Sequence, residues 1–163
     1  MPRVYISIGS NIEPARHVRL AVAALHEYYG ELAISSVYES VAVGFDGDNF
    51  YNLVVGLDTD QDVNTVNRTL HEIEDRYGRD RSGPRFSARA IDLDLLMYDE
   101  LVLQQDKLVL PREEILQNAF VLWPLAEIAP ELCHPLERET MASLWDRFDK
   151  SKQRLTPISF EWY

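Results

Sequence analysis

Residues 3–9, "RVYISIG", alternate Val4, Ile6 and Ile8 with Arg3, Tyr5 and Ser7 and stop at Gly9, which predicts a strand with one apolar face. A helix should follow: Pro14 suits a first turn, and Val18, Val22, Leu25 and Tyr29 recur at helical spacing up to Gly30. "LAISSVYESVAV" (32–43) reads as a second strand, "GFDGDN" (44–49) as a turn and "FYNLVVGLDT" (50–59) as a third strand, together a hairpin. Asp60 or Asp62 can cap a second helix over about 62–77, where Val63, Val66, Leu70, Ile73 and Tyr77 form a stripe closed by Gly78. "RDRSGPRFSA" (79–88) is a loop by composition, and "IDLDLLMY" (91–98) is a fourth strand. Beyond about Leu101 come a short strand, the link "LPREEILQNA" and helical turns in "FVLWPLAEIA" and "TMASLWDRF".

The order β-α-β-β-α-β predicts an α+β fold, a ferredoxin-like sandwich of two split β-α-β units with helices on one sheet face, followed by a C-terminal extension. With no internal linker, repeat or low-complexity segment, residues 1–163 read as a single domain. A chain of this size buries roughly 70% of its unfolded surface and needs no staples. Cys133 is the only cysteine, so an internal disulfide is excluded, and it reads as a small apolar residue. "MPRVYISIGS" lacks the apolar core of a signal peptide and no run reaches the length of a membrane span, so a soluble, cytoplasmic monomer is expected.

The net charge of −11 is the wrong sign for general affinity to nucleic acid or anionic membrane, which leaves small molecules as the expected partners. Its distribution is uneven. No Lys or Arg occurs between Leu20 and Asn67, whereas Arg76, Arg79, Arg81, Arg85 and Arg89 crowd the approach to Asp92 and Asp94. On a strand the two aspartates share a face, while Ile91, Leu93 and Leu95 take the other. Their β-carbons would lie roughly 6.6 Å apart, close enough to share hard cations such as Mg²⁺, whose other ligands are commonly water and phosphate oxygens. Arginines would match the phosphates. The alternative is a solvated face on which the aspartates pair with Arg85 and Arg89. The pattern G-x-x-x-x-G-K-[ST] is absent, so nucleotide chemistry would need another scaffold.

Five motifs in order, "YISIGSN" (5–11), "SSVYES" (35–40), "FYN" (50–52), "RFSARAIDLDLLMY" (85–98) and "AFVLWPLAEIAPELCHP" (119–135), resemble the 6-hydroxymethyl-7,8-dihydropterin pyrophosphokinases of folate biosynthesis. The resemblance implies transfer of pyrophosphate from ATP, the co-substrate, to the pterin hydroxymethyl group, with release of AMP. It makes Asp92 and Asp94 the ligands of two Mg²⁺ ions, and Arg79, Arg81 and Arg89 the phosphate contacts on a loop that closes over ATP. Phe86 stands where the family has an aromatic lid residue. Phe50 and Phe120 would stack on the pterin, Asn52 would read its edge, and backbone groups from Ser40 to Val43 would complete its site. Glu74 matches an acid that supports the site, and His71 falls where a glutamine faces the nucleotide, although a surface histidine is the plainer reading.

The chain also departs from the family. Val41 and Ala42 replace a double proline, Ser87, Ala88, Arg89 and Ala90 replace G-P-R-T, Arg112 replaces a histidine, and Asn118 replaces an arginine. Arg112 either faces the ATP phosphates or pairs with Glu113 and Glu114; in the second case Lys107 becomes the basic contact of this segment. A paralogue acting on a modified pterin, and a binding module without turnover, remain the alternatives to the pyrophosphokinase.

Overall fold

The computed structural model describes residues 1–40, 49–77 and 90–162. In chain order the elements are β1 (Arg3–Ser10), α1 (Pro14–Tyr29), β2 (Ala33–Ile34), β3 (Val37–Ser40), β4 (Phe50–Asp58), α2 (Val63–Arg76), β5 (Asp92–Tyr98), β6 (Leu103–Gln105), β7 (Leu108–Leu110), α3 (Glu114–Gln117), α4 (Ala119–Ile128), α5 (Met141–Asp146) and β8 (Thr156–Ile158). One mixed sheet-and-helix body results. Its antiparallel sheet runs β5-β1-β4-β3-β8, with β2 also on β4, and β6 and β7 form a separate hairpin.

The helix ends follow the sequence signals. Pro14 occupies the first turn of α1, and Gly30 closes it at φ +78°, a backbone conformation that suits glycine. Of the two candidate caps for α2, Asp62 is the one used: its carboxylate accepts the Thr65 N–H at 2.8 Å.

Alternation sorts the sheet's side chains into two cores. Val4, Ile6, Ile8, Leu53, Val55, Leu57, Leu93 and Leu95 pack with Val18, Leu25, Val66, Leu70 and Ile73 beneath α1 and α2. Tyr5, Val54, Leu96 and Met97 pack on the opposite face with Val121, Leu122, Leu125, Met141 and Leu144 of α4 and α5. Helices therefore cover both faces, not one: the C-terminal segment brings enough apolar surface to bury the second face over part of its length. The register between β1 and β5 shifts between Tyr5 and Ile6, so Leu96 is the extra residue and turns to the α4 side with Met97.

Three further features differ from the sequence reading. The expected strand 32–43 is broken at Ser35 and Ser36. There the Ser35 hydroxyl accepts the Val54 N–H at 2.9 Å, and the Ser36 N–H donates to the Glu127 carboxylate at 3.1 Å. Second, the short strand after Leu101 is one arm of the β6–β7 hairpin. Third, the C-terminal segment returns as β8 to pair with β3, held by Phe160 against Tyr51 and beneath the Arg19 guanidinium. Cys133 is exposed and so is not the packed residue expected of it.

Candidate active site

The α4 face of the sheet carries a row of residues in register across four strands. Asp92 on β5 stands opposite Gly9 on β1, Gly9 opposite Asn52 on β4, and Asn52 opposite Tyr38 on β3. The next row joins Asp94, Ser7 and Val54. Both aspartates are half-buried, while Leu93 and Leu95 between and beyond them are fully packed on the other face. Asp92 and Asn52 are thus two strand spacings apart, roughly 10 Å. Gly9 leaves the floor between them open, because a Cβ there would meet the Asn52 Oδ1 at 3.0 Å.

Asn52 is buried and its amide Nδ2 donates to the Ser40 hydroxyl at 3.4 Å. Phe50, two residues earlier on β4, shares its face and pairs in register with Ser40. Phe120, the second residue of α4, is half-buried against the second core. Tyr38 anchors the far end of the row: its hydroxyl donates to the Glu127 carboxylate of α4 at 2.5 Å, and its ring lies 4.8 Å from that of Trp123. Burial, then the Glu127 hydrogen bond and charge, push the Tyr38 hydroxyl pKa far above the usual tyrosine range.

The outer edge of β5 is held by side chains of opposite charge. Glu74 of α2 is fully buried and accepts the Leu93 N–H at 2.8 Å. Arg112 donates from its backbone N–H to the Leu96 carbonyl and from Nε to the Leu95 carbonyl, both at 3.0 Å. Its guanidinium also lies 3.6 Å from the Glu114 carboxylate and 3.9 Å from the Asp94 Oδ1. Of the acids the sequence offered to Arg112, Glu114 is the one it pairs with, and its guanidinium also stands beside Asp94. Lys107 sits exposed in the turn between β6 and β7. His71 is exposed on α2, and Arg76 packs over the Tyr28 ring and donates to its hydroxyl at 3.2 Å. Arg79, Arg81, Arg85, Phe86, Ser87, Ala88 and Arg89, with Val41, Ala42 and Val43, lie outside the described residues.

Three contributors were not picked out from the sequence: Ser7, Tyr38 with Glu127, and Gly9 as an open floor. Ser7 had a signal, a hydroxyl in the middle of an otherwise apolar strand, and it is buried in the row of Asp94. Among the described residues no group of three or more acidic, histidine or cysteine side chains is gathered for a metal ion. Two clefts of about 370 and 390 Å³ are lined respectively by residues around α5, such as Leu144 and Phe148, and by Arg3, Tyr5 and Cys133. Neither includes the aspartates, Asn52 or Arg112.

Comparisons with known proteins place the chain in a family and show its fold. The family model described as 7,8-dihydro-6-hydroxymethylpterin-pyrophosphokinase (HPPK) matches residues 5–130. The 2-amino-4-hydroxy-6-hydroxymethyldihydropteridine pyrophosphokinase of Bacillus subtilis is 33% identical over 147 residues, 88% of this chain and 85% of that protein. The protein of the same name from Methylorubrum extorquens is 37% identical over 150 residues, 88% of this chain and 94% of its own. Among solved structures, wild-type Plasmodium falciparum HPPK-DHPS is similar with a TM-score of 0.72 at 13% identity, over 90% of this chain. The chain spans 44% of that longer protein, so the likeness bears on the fold of this part alone. The chain belongs to the 7,8-dihydro-6-hydroxymethylpterin-pyrophosphokinase (HPPK) family.

Proposed function

We propose that this chain transfers the pyrophosphoryl group of ATP to the hydroxymethyl oxygen of 6-hydroxymethyl-7,8-dihydropterin, yielding the pterin diphosphate and AMP in folate biosynthesis. The observation that carries this reading is the in-register row Asp92–Gly9–Asn52 with Asp94 beside it. An anionic pair and an amide stand on one open floor about two strands apart, a separation suited to a planar heterocycle whose reacting arm points toward the aspartates.

In this reading the pterin lies over Gly9, with its amide-like edge on Asn52 and Ser40, and its faces against Phe50 and Phe120. Transfer forms a bond between the hydroxymethyl oxygen and the β-phosphorus, breaks the bond from the β-phosphorus to the α-bridging oxygen, and releases the hydroxyl proton. The residues fit Mg²⁺: two half-buried carboxylates on one strand face offer hard oxygen donors and leave the remaining positions to water and phosphate. Asp92 and Asp94 would hold the two ions, whose chemistry is to neutralise phosphate charge and orient the attacking and leaving oxygens. Arg79, Arg81 and Arg89 are assigned to the phosphates, Phe86 to the lid, and Val43 with its neighbours to the pterin. Lys107 and Glu74 are the further ATP-side candidates, Glu74 by bracing β5 through Leu93.

The order β5-β1-β4-β3 with its two crossover helices supports the ferredoxin-like arrangement, and one sheet shared by both cores supports a single domain over 1–163. Among the described residues no helix is long and apolar enough to cross a membrane. The acidic balance favours ATP and the pterin over nucleic acid as partners of a cytoplasmic monomer. Titration of the dihydropterin, followed by isothermal calorimetry in the presence of a non-hydrolysable ATP analogue and Mg²⁺, tests the pterin assignment. Asn52→Ala should weaken pterin binding by roughly tenfold, the worth of a buried polar partner left unpaired. Unchanged affinity would refute the assignment.

A further inference from the structure

Asp94, the second aspartate of the pair, has a positive charge of the protein's own beside it. Arg112 is not a freely swinging side chain: its backbone N–H and its Nε are both tied to consecutive β5 carbonyls, those of Leu96 and Leu95. This leaves the two terminal nitrogens aimed at carboxylates, Nη1 at Glu114 and Nη2 at Asp94 Oδ1, 3.6 and 3.9 Å away. A guanidinium does not lose its proton at accessible pH, so this charge is permanent. A divalent cation arriving at Asp94 meets it as a like charge. A nucleotide arriving with the cation brings phosphate oxygens that the same guanidinium attracts.

We propose that Arg112 is a positioning residue that makes divalent-cation binding depend on the nucleotide: it opposes the bare ion at Asp92 and Asp94 and favours the ion carried by a polyphosphate. The inference rests on the proposed function, in which the aspartates hold the metal. The two carbonyl anchors make the effect directional, since they prevent the guanidinium from retreating when the ion arrives. Glu114 balances part of the charge, so Arg112 opposes the ion without excluding it.

The test uses the full chain and Mn²⁺ as the probe, with free ion counted by electron paramagnetic resonance in the presence and absence of a non-hydrolysable ATP analogue. Without nucleotide, Arg112→Gln and Arg112→Met should each bind Mn²⁺ roughly fivefold more tightly than wild type, the worth of one charge contact near 4 Å in water. Arg112→Lys, which keeps the charge but not the Nε anchor, should fall between wild type and the neutral variants. The gain in Mn²⁺ affinity on adding the nucleotide analogue should shrink in the two neutral variants, and the difference should fade with added salt. Thermal melts identify any variant that loses its fold, and two neutral side chains of different polarity are used so that one can stand for the other. Unchanged Mn²⁺ affinity in a folded neutral variant overturns the proposal. Equal tightening in Arg112→Lys does so too, because the cause would then be packing. Asp92→Asn separates the levels: if it binds Mn²⁺ as wild type does, the metal assignment itself fails and takes the inference with it. If it loses Mn²⁺ while the Arg112 variants match wild type, only the inference fails.

Discussion

Glu74 offers a quantitative handle on how the aspartate strand is held. Its carboxylate is fully buried and accepts the Leu93 N–H at 2.8 Å, on the outer edge of β5 where no further strand pairs among the described residues. Glu74→Leu keeps most of the side-chain volume but removes the acceptor, leaving a buried N–H that has given up water and received nothing. The orphaned donor costs about 2 kcal/mol, within the ~1–3 kcal/mol measured for such groups. For a chain of this length that corresponds to a fall of roughly 4–8 °C in Tm. Glu74→Gln retains a carbonyl acceptor at nearly the same place and should lose about half as much, the difference being the charge on the acceptor. Urea unfolding with unchanged slope, supported by thermal melting, measures both variants, and amide exchange at Leu93 reports the bond itself. A Glu74→Leu protein within about 0.5 kcal/mol of wild type, or one with Leu93 exchange unaltered, would refute the bracing role.

Asp92→Asn and Asp94→Asn should each nearly abolish turnover at saturating Mg²⁺ while still unfolding cooperatively, because each keeps the size and shape of the side chain; comparable turnover in either would remove the metal role. Tyr38→Phe should destabilise by about 1 kcal/mol through loss of the hydrogen bond to Glu127. The raised pKa of Tyr38 means that its contribution is complete below the free tyrosine value near 10 and is lost as pH rises beyond it, a decline that Tyr38→Phe should flatten in alkaline unfolding curves. His134 is buried, which lowers its pKa, and its Nδ1 accepts the Leu136 and Glu137 N–H groups at 3.2 and 3.1 Å. Its stabilisation is present above the free histidine value near 6.5 and lost as pH falls below it, so His134→Asn should weaken the acid dependence of Tm, and an identical profile would contradict the assignment.

The strands and helices through β5 were legible because they carry local signals: alternation in 3–9 and 91–98, a Pro and a Gly bracketing α1, and Asp62 ahead of the stripe of α2. The aspartate pair was legible for the same reason, since a two-residue period puts both carboxylates on one face. What escaped depends on partners far away in sequence. The break between β2 and β3 is set by Ser35 meeting Val54 and by Ser36 meeting Glu127, 91 residues later. β8 is three residues long and is defined by β3 and by the packing of Phe160 on Tyr51, neither of which its own sequence announces. Covering of the second sheet face followed from α4, whose near-continuous apolar run could equally have been a buried core helix. Arg112 reaches both Glu114 and Asp94 because its position is fixed by backbone carbonyls on β5, and no sequence spacing encodes such a bond.

The nucleotide product decides which reaction the protein catalyses. Purified protein, ATP, Mg²⁺ and 6-hydroxymethyl-7,8-dihydropterin should yield AMP and pterin diphosphate in equal amounts, resolved by anion-exchange chromatography, and neither should form without the pterin. ADP as the nucleotide product, or no turnover of ATP by folded protein, would contradict pyrophosphoryl transfer.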